Sequence, residues 1–249
     1  MKAMILAAGL GTRLRPLTDD RPKALVELAG KTLLEITLSR LRISGVRDVV
    51  VNAHHFADQI ADFLMAHNNF GMHIEVSREN ILLDTGGGLK NAASFLLNGS
   101  NADEPFVLHN VDVISTIDLR RMAQQHMERR PLATLAVQHR GTSRYLLFDQ
   151  QDLLCGRYSG KDLPDLTVRP CADAQALGFC GIHVISPRIF SVMKEEGAFS
   201  IITSYLRLAA AAERIVAYTD DGSYWRDLGT VESLAEAEQD LLNGRLKLD

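Results

Sequence analysis

Apolar positions in the first half of the chain repeat with two alternating periods. Residues 1–7, 46–53, 73–77, 106–111 and 132–138 are short apolar or β-branched runs that predict buried strands. Segments with helical spacing stand between them. Residues 32–44 put Leu34, Leu38 and Leu41 on one face and stop at Gly45, and residues 56–67 turn Phe56, Ile60, Phe63 and Leu64 inward. Further helices are expected from the Gly86-Gly87-Gly88 tract to Leu97 and over residues 119–129. This alternation predicts an α/β fold with a doubly wound, mostly parallel sheet covered on both faces.

Beyond residue 140 the pattern is less regular. Residues 144–158 read as a hairpin or short strands, 176–185, 215–218 and 224–228 as strands, and 188–195 and 202–212 as helices, with a last helix starting near Thr230. The expectation is one domain over residues 1–249, in which residues 141–249 form a small lobe on the end of the sheet without a core of its own.

Composition narrows the function class. With 46% hydrophobic residues in 249, the chain can bury a full core. The net charge of −4, with both signs interspersed, argues against a nucleic-acid-binding surface and for a small-molecule partner. No apolar run reaches membrane-spanning length and no leader is evident at the start, so the expected compartment is the cytoplasm. Cys155, Cys171 and Cys180 lack metal-ligand spacing and suggest reduced thiols, while His54, His55 and His109 read as surface or packing residues.

The candidate chemistry starts where the first strand runs into Ala7-Ala8-Gly9-Leu10-Gly11-Thr12-Arg13-Leu14-Arg15-Pro16-Leu17-Thr18, followed by Arg21-Pro22-Lys23. Small residues let backbone N–H groups approach an anion, with fixed cations one turn further on. The spacing lacks the third glycine of a dinucleotide-binding loop and the Gly-Lys-Ser/Thr ending of a P-loop. On its glycines alone, the loop is equally a plain strand-to-helix turn with solvated arginines. Arg15 and Arg21 read as salt-bridged surface groups. A second candidate is Asp84-Thr85-Gly86-Gly87-Gly88, where three glycines at a helix start suggest close approach of a ligand to free N–H groups. The third is a pair of aspartates, Asp112 after the strand Leu108-His109-Asn110-Val111 and Asp227 in Trp225-Arg226-Asp227-Leu228-Gly229-Thr230. Two carboxylates suffice for magnesium, which completes its shell with water and phosphate oxygens.

Together these motifs resemble the sugar-1-phosphate nucleotidyltransferases, in order and over nearly the whole chain. The resemblance implies a nucleotide-binding half over residues 1–140 and a sugar-binding half over 141–249. It implies Arg13 and Lys23 as phosphate-binding catalytic cations, with Asp112 and Asp227 as ligands of Mg2+. Ala7, Ala8, Gly9, Gly11, Thr12, Thr85, Gly86, Gly87 and Gly88 then face the nucleotide, and Asn110 and Gly181 face the sugar. Val111 stands where the family carries glycine before the aspartate, which predicts a different local backbone. The family's Glu-Lys-Pro grip on the sugar phosphate is absent, leaving Arg144, Arg157 or Lys161 as candidates. The implied reaction joins an NTP and a sugar 1-phosphate into an NDP-sugar and pyrophosphate, in a monomer or small homo-oligomer. Compact length and the Thr-Gly-Gly-Gly segment look most like the uridylyltransferases that act on N-acetylmuramate 1-phosphate in cell-wall recycling, which implies UTP. Mannose- and glucose-1-phosphate nucleotidyltransferases and phosphocholine cytidylyltransferases share the N-terminal signature. A non-catalytic nucleotide-binding regulatory protein is the rival class, and the joint presence of Arg13, Lys23, Asp112 and Asp227 argues against it.

Overall fold

A computed structural model describes residues 1–99, 103–158 and 165–248. Strand β1 (Ala3–Leu6) is central, flanked in parallel by β2 (Asp48–Ala53) and β4 (Phe106–Asn110), with β3 (His73–Arg78) parallel beyond β2. The expected α/β class and parallel core sheet are present here. The second half joins with the opposite sense. After the short β5 (Val113–Ser115) come β6 (Ala133–Gln138), β7 (Tyr145–Phe148), β8 (Leu154–Tyr158), β9 (Leu166–Thr167) and β10 (Gln175–Ile185). The long β10 runs antiparallel to β4, β6 and β7, so it ties the two halves into one mixed sheet. β11 (Ile215–Thr219) pairs in parallel with β6, and β12 (Trp225–Asp227) leaves the sheet to pair with β5.

The period-2 alternation sends neighbours to opposite faces. Ala3 and Ile5 join one apolar cluster with Val107 and Val49, whereas Met4 joins the other with Phe106, Leu108 and Val50. Each cluster draws on residues from both sides of position 140. Helices cover both faces. α1 (Leu33–Ile43) lays Leu34, Leu38 and Leu41 on the first cluster; burial of each contributes about 2 kcal/mol. Its Thr32 cap accepts a bond from the Glu35 N–H at 3.1 Å, and Gly45 ends the segment at φ +90°. α2 (Ala57–Ala66) adds Ile60 and Leu64 to the same cluster.

The glycine segment differs from the sequence reading. Helix α3 (Asp84–Asn91) contains all three glycines within its first turns, and a break at Ala92 separates it from α4 (Ala93–Leu97). α5 (Leu119–Arg129) matches its expected bounds, but of residues 188–195 only α6 (Ile189–Val192) is helical. α7 (Ile201–Ala210) and α8 (Val231–Leu242) complete the set, the latter closed at its start by a reciprocal Thr230–Ser233 capping box.

Candidate active site

Parallel strands expose their carboxyl ends at one edge, and β1, β2 and β4 end in register there, with Leu6 opposite both Asn52 and Asn110. A cavity of about 390 Å³ opens at this edge, lined by Leu6 and the Ala7, Ala8 and Gly9 that follow β1, and by Asn110 at the end of β4 with Val111 and Asp112 after it. Lys23, Asn52, Leu82, Asp84, Thr85 and Ala198 complete its wall.

The charged groups converge through two backbone devices. Gly11 adopts φ +65°, and a Cβ there would lie 3.0 Å from Thr18 Cγ2 and 3.2 Å from Lys23 Cβ. A side chain at this position would displace Lys23, which explains the glycine without a ligand. Lys23 is buried, and its ammonium donates to an Asp112 carboxylate oxygen. The second device is the β5–β12 ribbon, which pairs Asp227 with Val113, while the Leu228 N–H donates to the Asp112 carbonyl at 2.7 Å. Two aspartates 115 positions apart in sequence are thereby brought together. Burial raises the Asp227 carboxyl above its ordinary range, and the Asp112 charge raises it further; Lys23, the Gly229 N–H and Arg13 partly oppose this. The Arg13 guanidinium lies against Gly229, where a Cβ would sit 2.5 Å from its Nη2 and 2.6 Å from Asp227 Oδ1. Gly229 thus makes room for Arg13 beside the aspartate.

Not every expected residue reaches this cavity. Thr12 is exposed on the 3₁₀ turn that carries Arg13. The Ala7 N–H is taken by Asn52 Oδ1 at 2.7 Å. Gly86, Gly87 and Gly88 are buried against protein: a Cβ at Gly86 would overlap the Phe199 ring, one at Gly87 the Gly197 carbonyl, and one at Gly88 would stand 2.7 Å from Asn52 Nδ2 and Glu79 Oε1. The amides of Gly86 and Gly87 both donate to the Phe199 carbonyl, at 2.8 and 3.3 Å. The expectation that a ligand approaches free N–H groups here is corrected, because the tract lets α3 close onto residues 197–199, which take the Gly86 and Gly87 amides. Thr85 does line the cavity, although its hydroxyl oxygen also accepts the Ile201 N–H at 2.9 Å. Gly181 stands at a bulge in β10 with φ +70°, packed against Asn110 and Val113. Arg144 and Arg157 line a second cavity, while Lys161 lies outside the described residues. Arg15 and Arg21 pair at the surface with Asp19 and Asp20, at 3.4 and 2.9 Å. Val111 is buried with an ordinary backbone, its N–H donating to Leu6 O at 3.1 Å, so no glycine is required there.

One relay escaped the sequence reading. Asn52 Nδ2 donates to the buried Glu79 at 2.7 Å, and the other Glu79 oxygen accepts the Leu83 N–H at 3.0 Å. The loop after β1 is thereby tied to the entry of α3. An asparagine inside an apolar strand, followed 27 residues later by a glutamate ending another, was the available signal.

Comparison with known proteins decides the family. The nucleotidyl transferase family model matches residues 2–244. The chain belongs to that family. It is 34% identical to the N-acetylmuramate alpha-1-phosphate uridylyltransferase of Caulobacter vibrioides, over 95% of both chains. It is 35% identical to the same enzyme of Neisseria meningitidis serogroup B, over 96% of this chain and 97% of that one. The mannose-1-phosphate guanylyltransferase of Mycobacterium tuberculosis is 29% identical over 97% of this chain and 65% of its own length. Among solved structures, a UDP-glucose pyrophosphorylase complexed with UDP-glucose has the same fold, with a TM-score of 0.77 at 19% identity over 98% of this chain and 99% of that chain. The nucleotidyltransferase is an enzyme of the sugar-1-phosphate class.

Proposed function

We propose that this nucleotidyltransferase transfers the uridylyl group of UTP to N-acetylmuramate 1-phosphate, releasing pyrophosphate. One observation carries the reading: Arg13, the Lys23–Asp112 pair and Asp227 converge beside a cavity at the carboxyl ends of β1 and β4. An oxygen of the acceptor phosphate attacks the α-phosphorus, the bond from that phosphorus to the bridging oxygen of the β-phosphate breaks, and pyrophosphate carries away the electron pair. The attacking group is already ionised, so no protein nucleophile or general base is needed; positioning and charge neutralisation supply the catalysis. Arg13 holds the β- and γ-phosphates with several donors, and Lys23 brings a compact charge to the α-phosphate.

Asp112 and Asp227 fit a magnesium ion. The two carboxylates are half-buried, and burial together with the Asp112 charge raises the Asp227 carboxyl, a repulsion that a divalent cation between them would relieve; magnesium asks for no more than one or two carboxylates from a protein. Among the described residues, no group of three or more His, Cys, Asp or Glu side chains is placed to hold a metal, so phosphate and water oxygens would complete the shell. When bound, the ion neutralises phosphate charge as pyrophosphate leaves. The nucleoside occupies the walls formed by Ala8, Gly9, Leu82 and Thr85, with the sugar toward Asn110 and Gly181. Three free thiols accord with the cytoplasm.

The test is a pyrophosphate-release screen of UTP, GTP, CTP and dTTP against several sugar 1-phosphates and phosphocholine, with and without magnesium. Release should require both substrates and the ion and be fastest with UTP and N-acetylmuramate 1-phosphate. GTP with mannose 1-phosphate as the best pair would replace the proposed substrates, and nucleotide binding without release for any pair would overturn the enzymatic reading.

A further inference from the structure

N-acetylmuramate 1-phosphate carries two acidic groups, the reacting phosphate and the carboxylate of its lactyl ether. Lys23 and Arg13 serve the phosphates of the reaction, which leaves the second acidic group to be accounted for. A second cavity, of about 650 Å³, adjoins the first and shares Asp84 with it. Its wall includes Arg144, Tyr145, Arg157, Tyr158 and Phe179, and none of Lys23, Asn110 or Asp112. Phe179 in this wall stands two residues before Gly181 on β10, so an acceptor whose sugar packs toward Gly181 can extend its far substituent into the second cavity.

The β7–β8 ladder builds this wall. Tyr158 pairs with Tyr145, and Arg157 with Leu146. The tyrosine rings lie 6.0 Å apart at 37°, an apolar platform of the kind that packs against a sugar ring. Arg157 Nε is buried and has no hydrogen-bond partner among the described residues. A buried guanidinium N–H without an acceptor is costly, and a carboxylate is the acceptor that best matches its planar fork.

We propose that this second cavity reads a carboxylate on the acceptor sugar, held by Arg157 with Arg144 beside it, and so selects acidic sugar 1-phosphates over neutral ones. The inference rests on the acceptor being a sugar 1-phosphate, and it assigns Arg157 to the substituent in place of the phosphate grip considered from sequence.

The experiment measures kcat/KM at saturating UTP for N-acetylmuramate 1-phosphate and for N-acetylglucosamine 1-phosphate, which lacks the lactyl carboxylate. The ratio of the two should favour the acidic sugar in the wild type and fall about 30-fold in Arg157→Gln. Arg157→Lys, which keeps the charge and loses the fork, should fall between them, and the melting temperature of each variant reports folding. Equal losses on both acceptors, with the ratio unchanged, would assign Arg157 to the shared phosphate and overturn the inference; a wild type that prefers the neutral acceptor would overturn it too. Calorimetric titration of free N-acetylmuramate and N-acetylglucosamine into the UTP-loaded protein tests the same preference without turnover. A wild type that binds the acidic sugar more tightly but releases no pyrophosphate would keep the inference and remove the proposed reaction.

Discussion

Gly87→Ala separates two explanations of the glycine tract. If the tract serves close approach of a ligand, a methyl group there weakens nucleotide binding and leaves the fold intact. The geometry says otherwise. The added Cβ would overlap the backbone carbonyl of Gly197 and come within 3.0 Å of Leu83 Cβ. Neither neighbour is the tip of a flexible side chain, so α3 must move away from residues 197–199, straining the hydrogen bonds of Gly86 and Gly87 to Phe199. Overpacking of this kind costs about 3 kcal/mol, and alanine returns about 1 kcal/mol of helix propensity, so the net loss is about 2 kcal/mol. For a chain of this size that lowers Tm by about 4–8 °C. Gly141→Ala is the control, because a Cβ there meets nothing within 4 Å. Calorimetric melting of both variants, with UTP titration alongside, decides the matter. An unchanged Tm in Gly87→Ala together with weaker UTP binding would refute the packing explanation and return the tract to the ligand.

Three further outcomes follow from the site and the core. Asp227→Asn should cut kcat at least about a hundredfold while Tm holds or rises, because it removes a half-buried charge repelled by Asp112 and keeps the oxygen that accepts the Gly229 N–H at 2.8 Å; a fall in Tm would contradict the repulsion. Lys23→Met leaves the Asp112 carboxylate without its ammonium and should destabilise by about 3 kcal/mol, and adding Asp112→Asn should restore much of the Tm without restoring activity; denaturant unfolding of the three variants checks this. Burial pushes His126 down to about 4, against 6.5 in the unfolded chain, so the unfolded state takes up a proton first as pH falls. Its contribution is fully present above pH 6.5 and lost toward pH 4, about 3 kcal/mol in all, so His126→Gln should flatten that part of the stability profile measured by urea melts.

Much of this organisation was legible in the sequence, and the remainder was hidden for definable reasons. Strand and helix periods placed β1 to β4 and α1, α2 and α5 within a few residues, because β1, β2 and β4 are continuous apolar runs buried on both faces, while the helices repeat their apolar positions at helical spacing, α1 and α5 with side-chain caps at Thr32 and Asp118. Arg13, Lys23, Asp112 and Asp227 were nameable from their motifs. Their meeting was not, since it depends on β12 leaving the main sheet to pair with β5. The glycine tract was misread because its partner, residues 197–199, lies more than a hundred positions away, and local composition cannot distinguish a ligand from a distant backbone. Asn52 and Glu79 were missed for the same reason: each looks like an ordinary polar strand end until α3 closes over both.

Exchange of labelled pyrophosphate into UTP tests most directly that the site joins two substrates without a covalent enzyme intermediate. Protein, magnesium, UTP and labelled pyrophosphate are incubated alone, with N-acetylmuramate 1-phosphate, or with its UDP-sugar product. Label should enter UTP only when the acceptor or the UDP-sugar is present, with no nucleotide bound to protein after denaturation. Exchange with UTP alone, or uridylylated protein, would contradict direct transfer between the substrates.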